Sequence, residues 1–186
     1  MSMPYEDALN KAWTDLDNSA AACESYSVSL LNDIYEVRRR ERQIMSLACN
    51  VPAKDHVSIM ILHYLIGIRK NGYIPTGEWI SFKAIEGGAT YYPAYRSSVI
   101  KPLLRKYGSR PKDLLSAIER FKAKKLSSGD AAIEIETFPD VLVRIILWGP
   151  DSEFGAEASI LYDRNITHIY QMEGITVFSQ FIVHNL

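Results

Sequence analysis

No apolar run in this 186-residue chain reaches the ~18 residues that a membrane-spanning helix needs, so no membrane association is expected. Cysteine is scarce. Cys23 and Cys49 lie 26 positions apart, without a CxxC pair or metal-type spacing, so no metal site is expected from them. Two thiols cannot hold a four-iron cluster, and no iron–sulfur cofactor is expected either. Two buried free thiols suit a cytoplasmic chain better than a disulfide does. The signatures GxGxxG, P-loop, GxSxG and HExxH are all missing, which takes away the common nucleotide, serine-hydrolase and zinc-peptidase readings. The opening stretch MSMPYEDALNKAW carries acidic residues and no apolar core, so it reads as part of the fold rather than as a secretory leader.

What is present fits a globular protein. Hydrophobic residues make up 47% and charged ones 23%, enough to bury a core, and the length suits a single α+β domain over 1–186. The net charge of −1 conceals an uneven distribution. Residues 96–125 hold ten Lys and Arg against Asp113 and Glu119, whereas residues 126–186 hold Arg144 and Arg164 against nine acids. A basic block of this kind serves an anionic ligand, an acidic partner or the chain's own acidic third. No nucleic-acid motif accompanies it, so nucleic acid is not expected as a partner.

Periodicity divides the chain into helices and short strands. Ala8, Ala12, Leu16 and Ala20 recur at helical spacing across 4–23, with Pro4 in the first turn. YSVSLL, DIYEVRR and RQIMSLA predict a three-strand meander, whose hairpin end carries Arg38, Arg39, Arg40 and Arg42 as solvated charges. KDHVSIMILHYLIGIRKNG predicts a helix capped by Asp55, stopped at Asn71-Gly72 and buried on most sides. SSVIKPLLRKYG and RPKDLLSAIERFKAKKL read as two further helices. DAAIEIETF and VLVRIILW read as strands, the first alternating Ile133, Ile135 and Thr137 with Glu134 and Glu136 as a half-exposed strand does. Proline cannot take the positive φ of a two-residue hairpin turn, so a three-residue loop is expected at Pro139-Asp140, with Glu136 opposite Arg144. ASILYD adds a strand, Asp163 caps RNITHIY, and ITVFSQFIVHNL closes the chain as a helix. The expected architecture is α+β: an antiparallel sheet of about six short strands packed by about five helices.

One stretch resists both periods. PTGEWISFKAIEGGATYYPAYR, residues 75–96, sets Trp79, Phe82, Tyr91, Tyr92 and Tyr95 among Gly77, Gly87 and Gly88. It forms either a corner of the core or the wall of a pocket. As a turn entering a strand it would point Ile80 and Phe82 inward with Trp79 opposite, then present Tyr92, Tyr95 and Arg96 at a helix start. Aromatic walls with a few polar groups are what small-molecule pockets are made of. His63, in ILHYL, is either a hydrogen-bonded core histidine or a contact to a bound cofactor of the tetrapyrrole type. It lies seven residues from His56, about 10.5 Å along a helix, too far for the two to share a metal. Glu78, between Gly77 and Trp79, and Glu157, in FGAEASILYD, are the candidate acid–base carboxylates, with Asp163 as a third acidic candidate. Apolar surroundings would raise the pKa of Glu78, unless Arg96 or Arg164 holds it ionised as a loop tie.

ILHYL, PTGEWISF, GGATYYPAYR, GDAAIEIETFP with ILW, and EASILYDRNITH, in this order and spacing, resemble a prokaryotic family of domains of unknown function, number 3786, found largely in anaerobic bacteria and archaea. The resemblance covers roughly residues 10–185. It implies no activity, and it draws attention to Gly77, Glu78, Trp79, Phe82, Tyr92, Tyr95, Glu157 and Asp163. Some relatives carry an added cysteine-rich segment of ferredoxin type, which this chain lacks.

Three functional readings stand. The first is an accessory protein that binds a small molecule or cofactor. A flat aromatic or tetrapyrrole-type ligand would lie against Trp79, Tyr92 and Tyr95, its acid groups on Arg96, Lys101 or Arg105 and its centre near His63. The second is an enzyme with Glu78 or Glu157 as general acid/base. The third is an interaction subunit that docks a redox or methyl-transfer protein partner through the basic face.

Overall fold

The computed structural model describes residues 5–19 and 24–186, so Pro4, Ala20 and Cys23 lie outside the described residues. The elements are α1 (Glu6–Ser19), β1 (Ser25–Leu30), β2 (Asp33–Arg38), β3 (Gln43–Ser46), β4 (Val51–Pro52), α2 (Asp55–Arg69), β5 (Trp79–Ser81), α3 (Gly88–Tyr95), α4 (Lys101–Tyr107), α5 (Ala117–Arg120), β6 (Ala123–Leu126), β7 (Ala131–Phe138), β8 (Val141–Trp148), β9 (Glu157–Asp163) and α6 (Met172–Asn185). They make an α+β fold with two antiparallel sheets, β1-β2-β3-β4 and β5-β9-β8-β7-β6, in place of the single six-stranded sheet expected. Among the described residues no helix is long and apolar enough to cross a membrane.

The smaller sheet is the expected meander with β4 added. β1 alternates strictly, burying Tyr26, Val28 and Leu30 while the intervening serines face out. α1 covers part of this region with Ala12, Trp13 and Leu16. The arginines at the hairpin end are ion-paired rather than merely solvated. Arg39 donates to Asp17 of α1 at 2.7 Å, Arg42 reaches the same carboxylate, Arg38 pairs with Glu36 and Arg40 with Glu24. Cys49 is exposed in the turn between β3 and β4, which corrects the expectation of a buried thiol there.

α2 is buried over most of its surface, from Val57 to Gly67. Gly67 is required by close packing: a Cβ there would stand 2.8 Å from the Ile169 side chain and 2.9 Å from its Cα. Asp55 is the first helical residue and not the cap, which falls to Lys54 without a side-chain bond. Gly72, at φ +64°, ends the segment as expected.

The larger sheet differs from expectation in two places. Residues 123–126 are not the end of a helix; they form β6, and helix α5 is one turn long. β6 is held by its pairing with β7, where Lys124 lies opposite Glu134. Burial pushes the Glu134 carboxyl up, but bonds from Lys124 and Arg144 outweigh that and hold it below the usual carboxylate range. Glu134 is 4% exposed, so β7 is covered on both faces instead of one. The β7–β8 connection has Phe138 opposite Val141, with Asp140 taking the positive φ (+66°) and the register shifting at Thr137. The connection is thus the two residues Pro139-Asp140 and not the expected three-residue loop, and proline fits because Asp140 alone takes the positive φ. Arg144 therefore faces Glu134, while Glu136 pairs with Lys122.

A single hydrophobic cluster runs from Trp13 and Leu16 through Ile61 and Leu65 to Ile133, Val143 and Phe178. Each such side chain contributes ~1.5–3 kcal/mol by leaving water.

Candidate functional site

The end of β9 and the loop before β5 are joined by one carboxylate. Asp163, 3% exposed, accepts from the backbone N–H groups of Thr76 and Gly77, each at 2.7 Å, and from that of Asn165 at 2.9 Å. The Thr76 hydroxyl adds a fourth donor at 3.1 Å. Gly77 sits at φ +77°, which lets two successive N–H groups converge on the carboxylate. Asp163 also caps the 3-10 turn Arg164–His168, as the sequence predicts. With its oxygens filled by these donors it ties the end of β9 to the loop before β5.

Glu78 belongs to the same joint. Its side chain is 63% exposed and pairs with Arg164 at 2.5 Å, while its carbonyl takes the Arg164 N–H at 2.8 Å. The loop-tie alternative thus describes Glu78, with Arg164 and not Arg96 as its partner. Glu157 opens β9 in an exposed position opposite Trp148. Neither carboxylate sits in the apolar surroundings that general acid/base work would draw on.

The aromatic segment is mostly a packing corner. A Cβ on Gly88 would lie 1.9 Å from the Phe82 carbonyl oxygen, so α3 starts in backbone contact with the turn after β5. That approach brings Tyr95 onto Phe82, ring centroids 4.0 Å apart and 12° from parallel. Tyr95 is 2% exposed, and burial pushes its phenol up to about 12. Its hydroxyl meets that of Tyr162 at 2.6 Å, which meets Ser179 at 2.5 Å. Ser179 donates its one proton to the Ile175 carbonyl, so Tyr162 donates to Ser179 and Tyr95 to Tyr162.

The remaining residues named by the sequence scatter. Trp79 lies under the Arg144 guanidinium, 3.8 Å from the ring centroid, and Tyr92 carries Lys83 at 4.1 Å. Arg96 is exposed. His63 is half-buried beside Tyr170 and next to Asp15 and Lys11 of α1; burial pushes its imidazole below the ordinary value. Tyr92 and Tyr95 line a cleft of about 180 Å³, which neither Trp79 nor His63 lines. Ligand pockets run to ~300–1,000 Å³, so this one is too small for a tetrapyrrole.

A larger groove, about 1030 Å³, opens between the smaller sheet, the start of α2 and the face of α6. Its apolar wall includes Val51, Val57, Val177 and Phe181. Its polar floor is organised by Asp33, which takes the Ser46 hydroxyl at 2.6 Å on one oxygen and the Ile34 and Ala48 N–H groups on the other. Tyr35 beside it is pushed up to about 12 by burial and by the Asp33 charge, so its phenol stays protonated. His56, half-buried at the rim, is lowered by burial and by the neighbouring Lys54, and is neutral at neutral pH. A second cleft of about 480 Å³ adjoins, sharing Asp33, Tyr35, Phe181 and Asn185.

The helical wall of the groove is irregular for a stated reason. Between α3 and α4, residues Arg96–Ile100 form a π turn, closed by the Lys101 N–H on the Arg96 carbonyl. Pro102 has no N–H to give the Ser98 carbonyl, and its ring would press on that oxygen in a regular helix. Widening the turn relieves the clash, and it places Ser98, Pro102 and Lys106 along the groove. Pro102 stands in the first turn of α4, and a proline inside an otherwise helical run was the sequence signal for this irregular wall. Asp33, Tyr35, Cys49, His56, Phe181 and His184 were missed as site residues because nothing adjacent in sequence links them.

The fold and groove define an α+β protein of two antiparallel sheets with an open, mixed polar and apolar groove beside the smaller one. The chain belongs to the family Domain of unknown function (DUF3786), whose profile matches residues 6–185. That span takes in the Asp163 joint and the groove-lining residues beyond Tyr5. No curated protein and no solved structure matches the chain.

Proposed function

We propose that this protein binds a small molecule, and that the ligand sits in the groove between the smaller sheet and α6. The observation that carries the reading is the groove itself: about 1030 Å³, apolar along α6 and polar on its floor, with a π turn in its helical wall. π turns are found mostly as single insertions at functional sites, and pockets of this size and mixed lining are where small ligands bind. The aromatic segment around Trp79, Tyr92 and Tyr95 supports a ligand less well, because its rings are occupied by one another and by Arg144 and Lys83. An enzyme built on Glu78 or Glu157 has less support still, since both are exposed and Glu78 is ion-paired.

Native mass spectrometry after incubation with a cell metabolite extract tests this. The wild type is expected to carry an adduct that a Val177→Trp variant, with the groove blocked, does not. An adduct that survives Val177→Trp and disappears in Tyr92→Ala would return the ligand to the aromatic segment.

Docking of an acidic partner is favoured by a separate observation. The π turn sets Arg96 one turn from Lys101, and Lys101 is four residues from Arg105, so the three exposed cations share a stripe. None of them has an ion-pair partner among the described residues. Lys122 and Lys124 of the same basic block are neutralised within the chain by Glu136 and Glu134. A pull-down whose yield falls with salt in the wild type, and vanishes in an Arg96→Glu, Arg105→Glu variant, is the expected result.

A further inference from the structure

Among the described residues that line the groove, two lysines stand against one carboxylate. Lys54 enters from the residue before α2 and Lys106 from α4. The carboxylate is Asp33, which keeps its charge but has both oxygens engaged by Ser46, Ile34 and Ala48. Asp55, next to His56, is exposed and does not line the groove. Neither Lys54 nor Lys106 forms an ion pair among the described residues. Lys106 does lie over the Tyr107 ring, 5.4 Å from its centroid, which leaves its ammonium free to meet an anion. The same groove is lined by the apolar side chains of Val57, Val177 and Phe181.

We infer that the ligand of this groove is a small amphipathic anion, a carboxylate or phosphate on an apolar body, with Lys54 and Lys106 meeting the charged end and Val177 and Phe181 the apolar one. The inference rests on the groove being the ligand site. A neutral ligand would forgo the attraction of the two lysines, and a cation would be repelled by them. Asp33 cannot serve a cationic ligand without surrendering the bonds that hold the turns on either side of it. A fully polar anion would leave the α6 face wet, whereas an apolar tail removes it from water at ~25 cal/mol per Å².

Fluorescence titration with dansyl-undecanoate and with its neutral methyl ester separates the two claims. The acid is expected to bind about tenfold more tightly than the ester, as two partly screened ion contacts would give. In a Lys54→Gln, Lys106→Gln variant the acid should fall to the affinity of the ester, and the ester should be unchanged. Both probes should be lost in Val177→Trp. If acid and ester bind equally and both are lost in Val177→Trp, the groove stands and the anion preference is overturned. If neither probe binds, or Val177→Trp leaves both unaffected, the groove reading falls and the inference with it. The lysines are exposed at the groove rim, so the double variant folds, which an unchanged circular dichroism spectrum verifies.

Discussion

The Asp163 joint and the groove are built on opposite plans. At the joint, three backbone N–H groups and a hydroxyl fill one buried carboxylate, and a backbone contact at Gly88 locks Tyr95 onto Phe82. In the groove, apolar side chains and two lysines face about 1030 Å³ of open space. The joint contains the most recognisable words of the sequence, PTGEWISF, TYYPAYR and ILYDRN. The groove draws on residues scattered from Tyr5 to Asn185. Dense, distinctive sequence therefore marks the place where the chain is hardest to change without unfolding, and the place with room for a ligand is spelled out in ordinary residues.

Substitutions sharpen that contrast, and those at the joint should be the most damaging. Gly88→Ala would put a methyl group 1.9 Å from a backbone oxygen. It should cost more than ~4 kcal/mol or prevent folding altogether, read by denaturant unfolding. Asp163→Ala leaves three N–H groups without their acceptor and removes a cap, and should cost about 3 kcal/mol in the same measurement. Tyr162→Phe breaks the hydroxyl relay from Tyr95 to Ser179 and should cost ~1–3 kcal/mol, because the buried Tyr95 proton loses its acceptor. A loss below a few tenths of a kcal/mol in either of the first two would break the comparison.

The smallest expected effect is one of pH. The Glu134 carboxyl is held below its unfolded value of about 4.3 by Lys124 and Arg144, so its contribution is present above that value and lost as pH falls through the folded one. Glu134→Gln should therefore flatten the acid limb of a stability profile. His63 works in the same direction at higher pH: its folded pKa is lowered by burial, so the unfolded chain takes up the proton first and stability falls below about pH 6.5. His63→Gln should remove that step and leave the Glu134 step in place.

Much of the fold was legible because its signals are local. Short β-branched and aromatic runs marked β1 to β3, and the all-round apolar run marked α2. β6 was not legible, because KAKKL favours a helix and becomes a strand only through Lys124 and its neighbour β7. The exposed face predicted for β7 failed for the same reason, since Lys124 and Arg144 cover Glu134. At the candidate site, Asp163 as a cap and Arg164 as the partner of Glu78 were within reach of sequence reasoning. The groove was not: it is assembled from segments far apart in the chain, whereas Tyr95 packs on Phe82, Trp79 lies under Arg144 and His63 lies beside Tyr170.

The most direct test is an amide chemical-shift map of isotope-labelled protein, titrated with the extract fraction that yields the adduct. Shifts concentrated at residues 51–57, 98–106 and 177–185, with 76–96 unmoved, are the predicted outcome. Shifts centred on Trp79, Tyr92 and Tyr95, with the groove silent, would contradict the account.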